Sequence, residues 1–371
     1  MKTKSEKYYN PEGIVVGPVE TVGYRAFSAT EDCPPCRVYY PATYSKNNDG
    51  DAKTTKQKPV GWFHDQGIGY FMKGYLIVMG SKGFLVSLFS PIIHLFSYCL
   101  RANWISIPET SLCAPADDRE HRTYPVIVFS HGLTGSGQEN AILCSSWAKK
   151  GYVVVSVHHM DGSSGCVKLP NGSRMYYNKG PPMSQYDREF RPRQVMQRAN
   201  EMKQVHSFLS SSDFPEDLKR ICDLERSVAA GFSFGAATTA MVSTLENHPF
   251  KALIFLDGWF HIDVMRSAGV EFKFPKQAFE KGINLPSLYI NSAEFKSYSK
   301  LWDATIELAR DSSKIHVLAE TTHQNFTDVV FWLPKWLLSK MGIMVGNADG
   351  RDVHYQIVRK TSDFLEEQFS Q

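Results

Sequence analysis

The chain has 371 residues, 43% hydrophobic and 13% aromatic, enough to bury the core of one large α/β domain or of two modest ones. A formal net charge of +3, with no basic run interleaved with aromatics, argues against a nucleic-acid partner. The opening Met1-Lys2-Thr3-Lys4-Ser5-Glu6-Lys7 is charged and lacks an apolar stretch. No secretory signal is therefore expected, a cytoplasmic protein is, and the seven cysteines are expected to be mostly reduced.

Residues 13–41 read as β-structure ending in Arg37-Val38-Tyr39-Tyr40-Pro41. Cys33-Pro34-Pro35-Cys36 has redox or zinc-like spacing, but no second Cys/His pair accompanies it, which favours a rigid Pro-Pro turn. The polar stretch Ser45 to Lys58 reads as a surface loop. Gly83 to Leu100 is almost wholly apolar, shorter than the twenty or so residues of a spanning helix, and broken by Pro91. Lys73 and Lys82 before it and Arg101 after it suit anchors at a bilayer surface. Three readings compete: a transmembrane helix, a buried core helix, and a helix pair over about 68–100 that dips into a membrane interface or lines an acyl pocket. The third is preferred.

From Tyr124 the chain alternates. Strands are predicted at Pro125 to Ser130, Tyr152 to Val157, Ser227 to Ala230, Ala252 to Leu256, Ser287 to Asn291 and Ile315 to Leu318. Helices are predicted at Gln138 to Lys150, Gln194 to Leu209, after Ser233, and at Val353 to Gln368. A Gly/Ser/Pro-rich insert at about 161–187 reads as a lid or pocket wall. Buried strands alternating with amphipathic helices imply a mostly parallel sheet with helices on both faces.

Gly231-Phe232-Ser233-Phe234-Gly235 lies between such a strand and a small-residue helix start, the context of a nucleophile elbow. The turn at Ser233 is tight enough to require small neighbours two residues away on either side, and it lifts the hydroxyl to a helix N-terminus. A serine there needs a histidine base oriented by a carboxylate. His323 follows the last strand directly and is the candidate base, whereas His316 lies within that strand. Two carboxylates compete for the acid: Asp257 comes straight off an apolar strand, and Glu294 lies three residues beyond the next one. Spacing leans to Asp257. The oxyanion donors are expected to be the backbone amides of Phe234 and Leu133, the latter in Ser130-His131-Gly132-Leu133, with His131 holding that loop by packing and hydrogen bonds.

These motifs, with Ala102-Asn103-Trp104, Leu256-Asp257-Gly258-Trp259 and His323-Gln324-Asn325-Phe326, make the chain resemble the plasma and type II intracellular platelet-activating factor acetylhydrolases from about Gly17 to Phe364. The resemblance implies one α/β-hydrolase domain over 1–371, with a mostly parallel central sheet and helices on both faces. It implies Ser233 as nucleophile, Asp257 as acid, His323 as base and the Leu133 and Phe234 amides as oxyanion donors. It further implies calcium-independent hydrolysis of the sn-2 ester of phospholipids with short or oxidised acyl chains, no metal or organic cofactor, and a membrane or lipoprotein-like interface through about Gly83–Leu100. Departures from the family pattern are His158-His159-Met160-Asp161 for Glu-His-Arg-Asp, Phe232 for a common His, and Ala236 for a third Gly. They are expected near the pocket and leave an sn-2 lysophospholipase open. A non-catalytic lipid-binding protein on the same scaffold is the reading from another class; the complete triad stands against it.

Overall fold

The computed structural model describes residues 21–42, 59–62, 65, 67–80, 88, 91–92, 106–111, 123–180, 188–265, 270–309, 314–332 and 334–370. The expected loop at 45–58 and the Ala102-Asn103-Trp104 motif lie outside these residues. Of the run 83–100 only residues 88, 91 and 92 lie within them.

In chain order the strands are β1 (Thr21–Phe27), β2 (Cys36–Ala42), β3 (Pro59–Gly61), β4 (Ser106–Ser111), β5 (Tyr124–Ser130), β6 (Val153–Val157), β7 (Cys166–Lys168), β8 (Arg174–Tyr176), β9 (Cys222–Phe232), β10 (Ala252–Leu256), β11 (His261–Met265), β12 (Val270–Lys273), β13 (Ser287–Ser292) and β14 (Ile315–Leu318). The main helices are α1 (Ile68–Val78), α2 (Ala141–Lys149), α3 (Phe190–Phe208), α4 (Phe234–Val242), α5 (Ser299–Leu308) and α6 (Gly350–Phe369).

One sheet runs in the order β14-β13-β10-β9-β5-β6-β2-β1-β4-β3, parallel from β14 through β6. The period-two alternation of β5 shows why both faces are covered. Val126 and Val128 pack into the cluster shared with Val195, Ala199 and Met202 of α3, whereas Ile127 and Phe129 pack into the one shared with Ile142, Leu143 and Trp147 of α2.

The topology also says where a site belongs. The chain leaves β5 through α2 to β6 on one side, then returns through α3 to β9 on the other. The carboxyl ends of β5 and β9 therefore flank a topological switch point, where open α/β sheets bind ligands. Both motifs of interest, Ser130-His131-Gly132-Leu133 and Gly231–Gly235, leave the sheet there.

Each predicted strand from Tyr124 onward is present. α6 starts at Gly350, three residues before the predicted Val353, because the Asp349 carboxylate accepts the Arg351 N–H at 2.8 Å and caps the first turn. In the insert, residues 166–176 form the β7–β8 hairpin, and β7 packs against α1. Arg174 lies over the Tyr70 ring at 4.1 Å and Lys73 over that of Tyr176 at 5.2 Å, cation–π pairs tying the hairpin to the helix.

Candidate active site

β9 ends at Phe232 and α4 begins at Phe234, leaving Ser233 alone to turn the chain, with φ 57° and ψ −116°. That left-handed conformation is rare for serine, at a cost of roughly 1–3 kcal/mol, and lasts only where the surroundings impose it. Here the Ser233 N–H donates to the Leu256 carbonyl (2.9 Å) and its carbonyl accepts the Trp259 N–H (3.1 Å). The flanking glycines follow from the same turn. A Cβ on Gly231 would stand 2.1 Å from the Gly235 carbonyl oxygen, and one on Gly235 would stand 2.0 Å from that of Ser130.

Three side chains meet at this point. His323 Nε2 lies 3.0 Å from Ser233 Oγ, and its Nδ1 lies 2.8 Å from Asp257 Oδ2. Asp257 is fully buried and held by Ser292, whose N–H and Oγ–H each donate to it at 2.7 Å. Acceptance by Asp257 fixes the proton of His323 on Nδ1 and leaves Nε2 with a lone pair toward the serine. Glu294, the competing carboxylate, touches a different atom: its Oε2 accepts the backbone N–H of His323 at 2.7 Å. It holds the loop and does not reach the ring.

The imidazole itself is clamped. The Phe295 ring stacks on it at 4.3 Å and 6°, and the Phe232 ring at 4.5 Å and 27°. The elbow departure at Phe232 thus touches His323 directly.

The Leu133 and Phe234 amides, the expected oxyanion donors, lie on the turn after β5 and at the first residue of α4. Neither N–H finds an acceptor among the described residues. A Cβ on Gly132 would lie 3.4 Å from Ser233 Cβ, so the turn carrying Leu133 abuts the serine. His131 is fully buried; its Nδ1 lies 2.7 Å from the Gly132 carbonyl oxygen and its Nε2 3.2 Å from Ser164 Oγ. Its role is to hold the loop.

His158 and His159, expected near the pocket, are both fully buried. His158 Nε2 pairs with Asp65 Oδ2 at 3.2 Å, and Asp65 also receives Arg37. His159 Nδ1 lies 2.7 Å from Glu201 Oε2 and its Nε2 2.8 Å from Ser130 Oγ. Burial pushes the Glu201 carboxyl up to about 8 and the His159 imidazole well below its ordinary range. A neutral acid donating to Nδ1 leaves the Nε2–H for Ser130, and the chain of bonds braces the end of β5.

Sequence reasoning missed the polar groups of α3. Arg191, Gln194, Arg198 and Glu201 are buried alongside Val195, Ala199 and Met202. Their spacing of three or four residues placed them on a continuous face next to the apolar one, the signal that was available. Among the described residues no group of His, Cys, Asp and Glu could hold a metal ion, and the five cysteines described are free thiols.

A strand–turn–helix with Ser233 at its apex, at the switch point of a mostly parallel sheet, is the architecture of the α/β-hydrolases, and the similarities that follow make the protein a carboxylic ester hydrolase. The solved ferulic acid esterase from Streptomyces cinnamoneus shares the fold, with a TM-score of 0.58 over 95% of this chain and 92% of that one, at 17% identity. The profile of the family described as platelet-activating factor acetylhydrolase, isoform II, matches residues 36–371, and the chain belongs to that family. It is 28% identical over 354 residues to the platelet-activating factor acetylhydrolase of Cavia porcellus, covering 88% of this chain and 70% of that one. It is likewise 28% identical over 251 residues to that of Bos taurus, covering 60% of this chain and 53% of the other. The chain thus spans about half the length of the bovine relative.

Proposed function

We propose that the protein hydrolyses the sn-2 acyl ester of phospholipids through an acyl-enzyme on Ser233. The observation that carries this is the unbroken relay from Asp257 through His323 to a strained serine at a helix N-terminus. His323 Nε2 takes the hydroxyl proton as Ser233 Oγ bonds to the ester carbon. The carbonyl oxygen, now negative, accepts the N–H groups of Leu133 and Phe234. The C–O bond to the glycerol carbon breaks, and His323 returns the proton to the departing alkoxide. Water then repeats the sequence against the acyl-enzyme and frees Ser233. Asp257 stabilises the imidazolium formed in both halves.

A short acyl group is favoured by the relatives' names, which are those of acetylhydrolases. Docking to lipid is favoured by large apolar side chains left exposed. Leu88 and Ile92 lie within the run 83–100; Trp336 and Met341 are exposed further along the chain, as is Met344, whose carbonyl accepts the Thr322 Oγ1–H at 2.9 Å next to His323. Lys340, its Nζ 5.4 Å from the centre of the Trp336 ring, sets a cation for lipid phosphate beside it. Among the described residues no helix is long and apolar enough to cross a membrane.

The test is acyl release, with Ser233→Ala as control, from matched lipids carrying sn-2 acetyl or sn-2 long acyl chains, in diacyl and lyso forms. Cleavage of the acetyl lipid ahead of the others is expected. Preference for the long-chain lyso lipid would make the protein an sn-2 lysophospholipase, and no cleavage by folded protein would overturn the reading.

A further inference from the structure

The two oxyanion donors belong to separate stretches of chain, Leu133 after β5 and Phe234 at the start of α4. Their separation must be held to a fraction of an ångström, because each N–H has to point at one oxygen that becomes charged only in the transition state. One buried side chain touches both stretches. Arg198 of α3 is fully buried. Its Nη1 donates to the His131 carbonyl at 2.9 Å, two residues before Leu133. Its guanidinium carbon lies 4.9 Å from the centre of the Phe234 ring, and Nη1 stands 3.5 Å from Thr238 Oγ1 of the same helix.

The counter-charge is Asp161, whose Oδ2 faces Arg198 Nε at 3.4 Å, outside hydrogen-bond geometry, with both side chains fully buried. Asp161 opens the segment that grips the loop from its other side. The Thr134 N–H donates to the Ser163 carbonyl (2.8 Å) and the Gly165 N–H to the Gly135 carbonyl (2.9 Å). Asp161 Oδ1 in turn accepts the Ser163 N–H at 3.1 Å and its Oγ–H at 2.5 Å. Burial pushes Arg198 down to about 10, so it stays cationic at neutral pH. Buried ion pairs are seldom better for stability than apolar residues of the same volume, so stability alone does not account for one here.

We propose that Arg198 is a positioning residue of the oxyanion hole, fixing the Leu133 and Phe234 amides relative to each other through the His131 carbonyl and the Phe234 ring, with Asp161 as its counter-ion. The proposal rests on the reading of Ser233 given above.

Arg198→Lys keeps the charge and loses the forked donors and planar stack. Phe234→Leu removes the ring while leaving the ion pair intact, and serves if the first variant does not fold. For each, kcat and KM on a soluble short-chain aryl ester are measured per active site, counted by exhaustive fluorophosphonate titration, together with inhibition by a trifluoromethyl ketone, whose serine adduct carries an oxyanion. Arg198→Lys is expected to lower kcat per titrated site by about ten- to a hundred-fold with KM within about twofold, less than the loss of a whole donor. The ketone inhibition constant should rise by the same factor as kcat/KM falls, and Phe234→Leu should move both in the same direction by less. Unchanged kcat per titrated site, or a fall in kcat with ketone affinity intact, would overturn the proposal. Ser233→Ala separates the two claims: full activity in it overturns the catalytic reading itself, whereas an inactive Ser233→Ala beside a normal Arg198→Lys overturns only the role of Arg198.

Discussion

Asp257→Asn changes one atom of the relay, and the structure dictates how the new carboxamide must lie. Asp257 Oδ1 accepts the Ser292 N–H at 2.7 Å, a donor that cannot turn away, so the carboxamide oxygen must take that place. Its NH2 then occupies the position of Oδ2, facing Ser292 Oγ and His323 Nδ1. Ser292 Oγ can rotate and accept. His323 Nδ1 can accept only by giving up its proton, which moves the ring hydrogen to Nε2 and points it at Ser233 Oγ, 3.0 Å away. A base in that tautomer cannot take the serine proton. In a serine protease the same exchange lowers kcat by about 10⁴, which corresponds to roughly 5 kcal/mol of activation free energy. We expect a loss of that order on a soluble aryl ester, with a melting temperature close to that of the parent. A loss under about tenfold in well-folded protein would refute the tautomer argument.

Three further outcomes follow from the same contacts. Gly235→Ala sets a Cβ 2.0 Å from the Ser130 carbonyl oxygen, where only backbone could yield, so urea unfolding should show a loss of about 3 kcal/mol or more; an unchanged midpoint would contradict the close approach. Phe295→Leu removes the ring stacked on His323 and should lower kcat by up to about tenfold with KM unchanged, the equivalent of an aromatic pair. Burial pushes the Asp328 carboxyl up to about 8, although it accepts Trp62 Nε1–H and Ile142 N–H. The folded state therefore holds a proton that the unfolded chain releases near pH 4, and this carboxyl makes stability fall as pH rises from about 4 to 8. Asp328→Asn should remove that share of the slope, raising the melting temperature relative to the parent above pH 8 and changing it little near pH 5. Parallel melting curves from pH 5 to 9 would show the reasoning to be wrong.

The strands from Tyr124 onward were legible because, buried on both faces, they read as uninterrupted apolar runs, and the elbow because the turn admits only glycine at 231 and 235. Spacing left Asp257 against Glu294 open, since both carboxylates follow strands that pair with each other. What separates them is which atom of His323 each one meets, a matter of side-chain direction. The hairpin β11–β12 escaped notice because its strands are short and mix charge with apolar residues, with Asp263 and Glu271 paired in register. The buried polar face of α3 was hidden for another reason. Arg198 and Glu201 look solvated in sequence, and their burial depends on Asp161, His131 and His159 arriving from distant stretches of chain.

Fluorophosphonate labelling followed by peptide mass mapping tests the central claim most directly, with phospholipid turnover followed in the same sample. The account predicts one phosphonyl group per chain on Ser233, turnover lost in proportion to labelling, and neither label nor turnover in Ser233→Ala. Turnover that persists once Ser233 is fully modified, or a label that settles on another residue as activity disappears, would contradict it.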